Sequence, residues 1–141
     1  MRSKQQRLQR LAGVLFIVLV LAGCNLESAR LELTPVSTPD LPRVEFLFPE
    51  NNSAIYENID MTLNVVAYDE TAGVARIEIL VDGEMLLEAT PEDEQPVPIF
   101  NVETNWLAQG AARHVFTAIA YRADNTRSDE AVLIVEVQPR P

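Results

Sequence analysis

The stretch NIDMTLNVVAYD, residues 58–69, decides the fold class of this chain. Its apolar side chains recur at every second position, and three polar ones, Asp60, Thr62 and Asn64, stand between them. Alternation of this kind is typical of a β-strand that has one face in a core and the other in solvent. The stretch therefore predicts a half-buried strand.

The same period of two recurs on both sides of this stretch. Further strand candidates are RVEFLF (43–48), VARIEILVDGEMLLEA (74–89), IFNVETNW (99–106), RHVFTAIAYR (113–122) and DEAVLIVEVQ (129–138). Asp82-Gly83 predicts a two-residue hairpin turn, because both of its positions need positive φ. Roughly six to eight short strands separated by turn residues favour an all-β antiparallel sandwich, with a small barrel as the alternative.

The N-terminal region has the layout of a secretory signal. Residues 1–10 carry four basic side chains and no acidic one, and residues 11–22 form an apolar run that is too short to span about 30 Å of hydrocarbon. Leu21 to Cys24, the sequence LAGC, resembles the bacterial lipobox, which implies cleavage before Cys24 and lipidation of its thiol. We expect residues 1–23 to be a lipoprotein signal peptide. An ordinary signal peptide and an uncleaved anchor are the alternatives.

Residues 24–42 predict a tether between this anchor and the strands. The segment contains three prolines and several Ser and Thr residues, a composition that keeps a chain extended. A helical turn or a short first strand at LESARLEL (26–33) is the alternative. The predicted β-domain then covers residues 43–138, held on a bacterial membrane outside the cytoplasm, at the cell surface or on the periplasmic face.

The chain after residue 23 is strongly acidic. It contains 7 arginines, no lysine and all 21 acidic residues, which gives a formal net charge of −14. Such a surface repels phosphate backbones, so we expect no nucleic-acid partner. Cys24 is the only cysteine, so the domain has no disulfide of its own and depends on packing for stability.

Residues 43–138 resemble a bacterial Ig-like domain of the Big type. The resemblance rests on Ala67-Tyr68-Asp69, Gly73-Val74, Val81-Asp82-Gly83, Leu107-Ala108-x-Gly110, His114 and Ala118-x-Ala120. It implies an Ig-like sandwich of about seven strands and says little about activity. Arg122 departs from the family, which often has Asp there, and Asp124-Asn125-Thr126 replaces the usual Gly-Asn turn.

One candidate site is a cluster of charges at one end of the sandwich. In a fold of this topology Asp69 and Glu70 end a strand beside the loop that holds Arg122 and Asp124. Converging carboxylates are the ligands that Ca²⁺ takes, but the Arg122 guanidinium can satisfy them without a metal. We favour an ion pair of Arg122 with Asp69 or Glu70, and calcium stays open as the alternative.

A second candidate is an interaction face. If His114, Phe116, Ala118 and Ala120 point inward, the outward residues of the last two strands form an apolar surface: Val115, Ile119, Tyr121, Val132 and Ile134. Such a surface on a free monomer usually marks an interface. The alternatives are a reversed register, or cover by the tether or a long loop.

No constellation of catalytic residues is apparent in the sequence. His114 is the only histidine, its place in the family suggests a structural role, and no serine has a nucleophile-elbow pattern. We expect a non-enzymatic module, without a cofactor beyond the lipid on Cys24, that binds a protein partner or serves as an accessory subunit of the cell envelope. A carbohydrate- or cell-wall-binding module is the alternative, and its candidate aromatic residues are Tyr56, Tyr68, Trp106 and Tyr121.

Overall fold

The structure is a computed structural model that describes residues 40–141, and it is a sandwich of two β-sheets. The predicted signal peptide, Cys24 and nearly all of the predicted tether lie outside the described residues. The eight strands are β1 (Arg43–Phe48), β2 (Ser53–Tyr56), β3 (Asp60–Tyr68), β4 (Arg76–Val81), β5 (Glu84–Ala89), β6 (Ile99–Leu107), β7 (Arg113–Tyr121) and β8 (Ala131–Gln138). Within this range no helix has the length and apolar character needed to cross a bilayer.

The strands divide into a three-stranded and a five-stranded sheet. The first has the order β1-β3-β6 and the second the order β2-β8-β7-β4-β5. All pairs are antiparallel except β2 with β8, which is parallel. The predicted all-β sandwich is confirmed. Strand β2 is the one that sequence reasoning missed, because four residues are too few to show a period.

Strand β3 has the buried and exposed faces that the alternation in its sequence predicted. Met61, Leu63, Val65 and Ala67 all lie in the core, where the facing sheet contributes residues of β4, β7 and β8. Val66 points to the opposite face and is nevertheless 4% exposed. Its partners in register are Glu45 of β1 and Asn101 of β6, so Val66 lies between two strands of the small sheet.

The turn between β4 and β5 is the predicted two-residue hairpin. Val81 pairs with Glu84 across it, and the turn residues have φ values of 52° at Asp82 and 87° at Gly83. Positive φ at both positions matches the right-handed twist of the flanking strands. The hairpin therefore places β5 at the edge of the five-stranded sheet.

The chain enters the sandwich at the end that holds loops 69–75 and 122–130. Arg43, the first residue of β1, pairs with Tyr68, the last residue of β3. Strand β7 ends nearby, since Tyr121 pairs with Arg76 at the beginning of β4. The charged residues of these loops consequently lie close to the beginning of β1.

Candidate interaction surface and charged clusters

Burial of alternate residues shows which side chains of β7 and β8 point outward. Phe116, Ala118 and Leu133 are at most 1% exposed and point into the core. Successive side chains of a strand point to opposite faces. Val115, Thr117 and the residues that continue this alternation therefore lie on the outer face of the five-stranded sheet.

The strand register aligns four outward residues, one from each of four adjacent strands. They run in the order Met85 of β5, Leu80 of β4, Thr117 of β7 and Val132 of β8. Val115 and Ile134 form the next pair beside this row. We call the six residues Leu80, Met85, Val115, Thr117, Val132 and Ile134 the outer apolar patch.

Three side chains dominate the exposed area of the outer apolar patch. Met85 is 54% exposed, Val132 52% and Val115 39%, and the other three are half-buried. Exposed apolar residues scattered singly are ordinary, whereas a contiguous group is a candidate interaction surface. Glu84, Glu88 and Glu136 are exposed on the strands of this sheet, so negative charge accompanies the apolar row.

The structure places the five residues of the predicted interaction face in two different environments. Val115, Val132 and Ile134 belong to the outer apolar patch. Ile119 also points outward, but it is only 7% exposed and pairs in register with Glu78. The prediction of Ile119 as an accessible contact was therefore wrong, since its neighbours cover it. Tyr121, on the same face, belongs to a polar cluster.

That polar cluster joins β4 to β7. The Tyr121 hydroxyl donates to Glu78 Oε2 at 2.9 Å, and the Arg76 guanidinium lies 3.8 Å above the Tyr121 ring. Arg76 Nε also donates to Glu78 Oε1 at 3.2 Å. Burial raises the pKa of Tyr121, and the bond to Glu78 raises it further. The phenol consequently stays a hydrogen-bond donor and is not a free binding residue.

Leu80, Met85 and Thr117 are the three members of the outer apolar patch that sequence reasoning did not assign. Leu80 and Met85 lie in the apolar runs on either side of the Asp82-Gly83 turn, which can be read from the sequence. What was missing is the strand order, because only the pairing of β4 with β7 brings Leu80 beside Thr117.

Arg122 and Asp69 form a bidentate ion pair at the end of the sandwich where the chain enters. Arg122 Nε donates to Asp69 Oδ2 at 2.5 Å, and Arg122 Nη2 donates to Asp69 Oδ1 at 3.2 Å. The backbone amides of Thr71 and Ala72 also donate to Asp69 Oδ1, at 3.1 and 3.2 Å. The Asp69 side chain is 2% exposed, so its oxygens are largely surrounded by protein donors.

The electrostatics of this pair follow from those bonds. The hydrogen bond from Arg122 lowers the pKa of Asp69, burial opposes that effect, and the two backbone amides add to it. Arg122 Nη2 also lies 3.2 Å from Asp40 Oδ2, a partner that the sequence did not indicate. One guanidinium is thus shared by two carboxylates.

Glu70 and Asp124 do not join the Arg122–Asp69 pair. Glu70 is exposed, and Asp124 Oδ1 accepts the backbone N–H of Thr126 at 2.9 Å within its own turn. Across residues 40–141, no three His, Cys, Asp or Glu side chains are grouped in a way that could hold a metal ion. The structure therefore unites two of the four predicted residues of this cluster.

His114 connects the β4–β5 hairpin to the loop that precedes β7. Its Nδ1 lies 2.7 Å from Asp82 Oδ2, and its Nε2 lies 3.0 Å from the carbonyl oxygen of Gly110. Both partners are acceptors, so the charged imidazole, which donates from both nitrogens, fits the site best. Burial lowers the pKa of His114, but the bonds to Gly110 and Asp82 outweigh it and raise the pKa overall. The Trp106 ring packs against it with centroids 5.1 Å apart.

Comparison with known proteins gives similarity in structure and not in sequence. No protein-family model matches the chain, and no curated protein matches it. Among solved structures, the fibronectin(III)-like modules of Clostridium thermocellum CbhA align with a TM-score of 0.53 and 22% identity, over 70% of this chain and all of theirs.

Two further structures share the same architecture. A CARDB domain from Pyrococcus furiosus aligns with a TM-score of 0.55 and 15% identity, over 74% of this chain and all of that one. The SrpA adhesin of Streptococcus sanguinis aligns with a TM-score of 0.51 and 14% identity, over 72% of this chain and 58% of the adhesin. At these identities the similarity establishes the fold alone, and the described part of the chain is an Ig-like β-sandwich.

Proposed function

We propose that this protein is a lipid-anchored, extracytoplasmic Ig-like module that binds another protein of the cell envelope through the outer apolar patch. The observation that carries the proposal is the row of Met85, Leu80, Thr117 and Val132 across four strands. A row of this kind can bury apolar area at an interface without rearrangement of the sheet, because the strands hold its side chains in place.

The proposed anchoring rests on the sequence around Cys24. A cysteine that carries two or more acyl chains stays on a bilayer, because each buried methylene contributes about 0.8 kcal/mol. The similarity of the fold to an adhesin is compatible with a location outside the cytoplasm.

The contacts of Asp40 support one proposal for where the tether would join the domain. Asp40, the first described residue, is held by Arg122 and by the Thr71 hydroxyl, which donates to Asp40 Oδ1 at 3.3 Å. The tether would thus reach the domain at the end of loops 69–75 and 122–130. That arrangement leaves the outer apolar patch on a side of the sandwich, accessible to a neighbouring protein.

The proposal assigns no catalytic step to the chain. Both ring nitrogens of His114 already lie within hydrogen-bonding distance of acceptors on Asp82 and Gly110, so the imidazole is placed to support structure. The aromatic residues of the carbohydrate-binding alternative also do not converge: Tyr56 and Tyr68 lie on different sheets, and Trp106 packs edge-on against Phe116. We therefore prefer a protein partner.

The test is a native purification from membranes of the source cells with three forms of the tagged chain: unaltered, Val132→Asp and Ile59→Asp. Ile59 is 41% exposed and lies outside the outer apolar patch, so it controls for a new charge on an exposed apolar residue. We expect the unaltered chain and Ile59→Asp to retain a partner that Val132→Asp loses. Retention of that partner by Val132→Asp at unchanged level would overturn the assignment of this face.

A further inference from the structure

Strand β6 differs from the other three edge strands of the sandwich in its capacity for further pairing. The edges are β1 and β6 in the small sheet and β2 and β5 in the large one. Natural edge strands avoid added partners by being short, by bulges, by proline or by charge. Strand β1 has an irregular register between Phe46 and Phe48, and β2 has only four residues. The register of β5 with β4 shifts between Leu87 and Met85.

Strand β6 has none of the first three protections. It runs for nine residues, its register with β3 is continuous from Ile99 to Leu107, and it contains no proline. Its single charged residue is Glu103, at the centre.

The direction of the β6 backbone groups follows from the bonds at its two ends. Asp69 N donates to Pro98 O at 2.9 Å, and Ala108 N donates to Ile59 O at 3.0 Å. In an antiparallel pair, alternate residues turn their N–H and C=O toward the partner. The even-numbered residues therefore bond β3, and the odd-numbered ones turn their backbone groups to the free side.

Five residues thus present both unpaired backbone groups and exposed side chains. They are Ile99, Asn101, Glu103, Asn105 and Leu107, and within residues 40–141 no strand pairs with this side. The two apolar ends are conspicuous, since Ile99 is 62% and Leu107 43% exposed. An unpaired row of this kind is a template for one more strand.

We propose that the free edge of β6 binds an extended segment of another protein as an added strand. The segment carries a basic side chain opposite Glu103 and apolar side chains opposite Ile99 and Leu107. Main-chain hydrogen bonds supply the attraction, and the two ends and the central charge select the sequence. This surface lies on the other sheet from the outer apolar patch, so the proposal does not depend on that patch.

Charge disfavours a second copy of the chain as the occupant. Antiparallel pairing of two β6 strands matches all five outward residues only when Glu103 faces Glu103, and like charges directly opposite are destabilising. A shift by two residues removes that contact but leaves one apolar end without a partner. The net charge of −14 on residues 24–141 adds repulsion between copies.

The first experiment is a binding titration with a synthetic nine-residue peptide. It has Val at both ends, Lys in the centre, Asn midway between centre and ends, and Thr elsewhere, so its outward pattern is the same in parallel and antiparallel alignment. The control peptide has Glu in place of Lys. We expect the Lys peptide to bind the purified chain about tenfold more tightly than the Glu peptide, because an attractive cross-strand pair replaces a repulsive one.

A charge exchange makes the titration specific to Glu103. The variant Glu103→Lys should reverse the preference between the two peptides, while Glu50→Lys, an exposed site in the turn after β1, should leave it unchanged. Equal affinities of the two peptides for the unaltered chain, or the same reversal in Glu50→Lys, would overturn the proposal.

Hydrogen exchange of backbone amides locates the bound peptide. The amides of the five odd-numbered residues should exchange quickly in the free chain and slowly with the Lys peptide, while the even-numbered ones stay slow throughout. Odd-numbered amides that are already protected in dilute free chain would show that another segment covers the edge. Protection that appears with chain concentration alone would identify a second copy. Either result would overturn the proposal. Neither would affect the proposed function, which is tested separately with Val132→Asp.

Discussion

Arg122 shows how one side chain determines what a charged site can do. A carboxylate that is removed from solvent needs compensating donors, and Asp69 obtains them from a guanidinium and two backbone amides. Arg122 thus supplies the fixed positive charge that balances this carboxylate. The same side chain holds Asp40, so it joins the beginning of the domain to the loops around β3 and β7.

Removal of the Arg122 charge should destabilise the fold. We expect Arg122→Gln to lower the melting temperature at neutral pH, because Asp69 is left buried with an uncompensated charge. The double variant Arg122→Gln with Asp69→Asn should recover part of the loss, since the unpaired carboxylate is gone. Thermal unfolding of the unaltered chain, Arg122→Gln, Asp69→Asn and the double variant provides the double-mutant cycle. Additive effects of the two substitutions would show that the pair is not coupled.

Calcium should not stabilise the protein. Four donated hydrogen bonds already reach the Asp69 carboxylate, whereas Ca²⁺ takes about six to eight oxygen ligands. We predict the same melting temperature in chelator and in millimolar calcium chloride, with magnesium chloride at equal ionic strength as the control. A rise with calcium and not with magnesium would show a stabilising site.

The stabilisation that comes from the charge on His114 should be lost at alkaline pH. The folded state raises the pKa of His114 above its ordinary 6.5, so it binds the proton more tightly than the unfolded chain does. The contribution is therefore complete below about pH 6.5 and is lost as the pH rises through the folded-state value. We expect the difference in melting temperature between the unaltered chain and His114→Gln to shrink over that range. An imidazole that titrates at or below 6.5 by NMR would contradict this.

At the scale of elements, the connections determine how the strands meet. The β4–β5 turn depends on positive φ at Asp82 and Gly83, and the connection after β3 depends on Gly73. Gly73 has a φ of 80°, and a Cβ built there would lie 2.8 Å from Pro96 Cβ. Its neighbour Val74 pairs with Val97. Close approach at this glycine therefore joins the end of β3 to loop 90–98.

Gly73 and Gly110 form a matched pair that separates crowding from backbone strain. Both have φ near 80°, but a Cβ at Gly110 would meet nothing within 4 Å. Gly110→Ala should cost about 1–2 kcal/mol through its left-handed backbone alone, and Gly73→Ala should cost more, because Pro96 must also move. The urea midpoints of the two variants test this. Equal midpoints would show that loop 90–98 can move away from the new methyl group without a loss of stability.

For the molecule as a whole, the two proposed binding surfaces belong to different sheets, so one partner would not block the other. The outer apolar patch lies on the five-stranded sheet, and the free edge of β6 belongs to the three-stranded one. Net negative charge suppresses association between copies and with anionic surfaces. Under the two proposals, contacts with other proteins would form where apolar side chains or unpaired backbone groups overcome that repulsion.

Attachment to a membrane should depend on one thiol. Cys24→Ser removes the atom that would carry the lipid and leaves residues 25–141 unchanged. We expect this variant to leave the membrane fraction on cell fractionation, while a Ser28→Ala control stays with it. Membrane association of Cys24→Ser at the normal level would contradict the anchor and favour an uncleaved apolar segment.

Features that depend on neighbours in the chain could be predicted before the fold was known. Alternation over residues 58–69 predicted β3, and Asp82-Gly83 predicted the hairpin turn, because side-chain period and backbone φ are local properties. The opposition of Arg122 and Asp69 could also be anticipated, once a resembling topology had placed their loops together. Strand β2 was out of reach, since four residues carry no period.

Which strands lie side by side could not be predicted from local sequence and is seen in the folded domain. Strand order brought Leu80 and Met85 beside Val132, buried Ile119 next to Glu78, and left one side of β6 without a strand. Each of these outcomes depends on hydrogen bonds between residues far apart in the chain. A one-residue change of register would turn every side chain of a strand to its other face, and the packing of the whole core selects between the two.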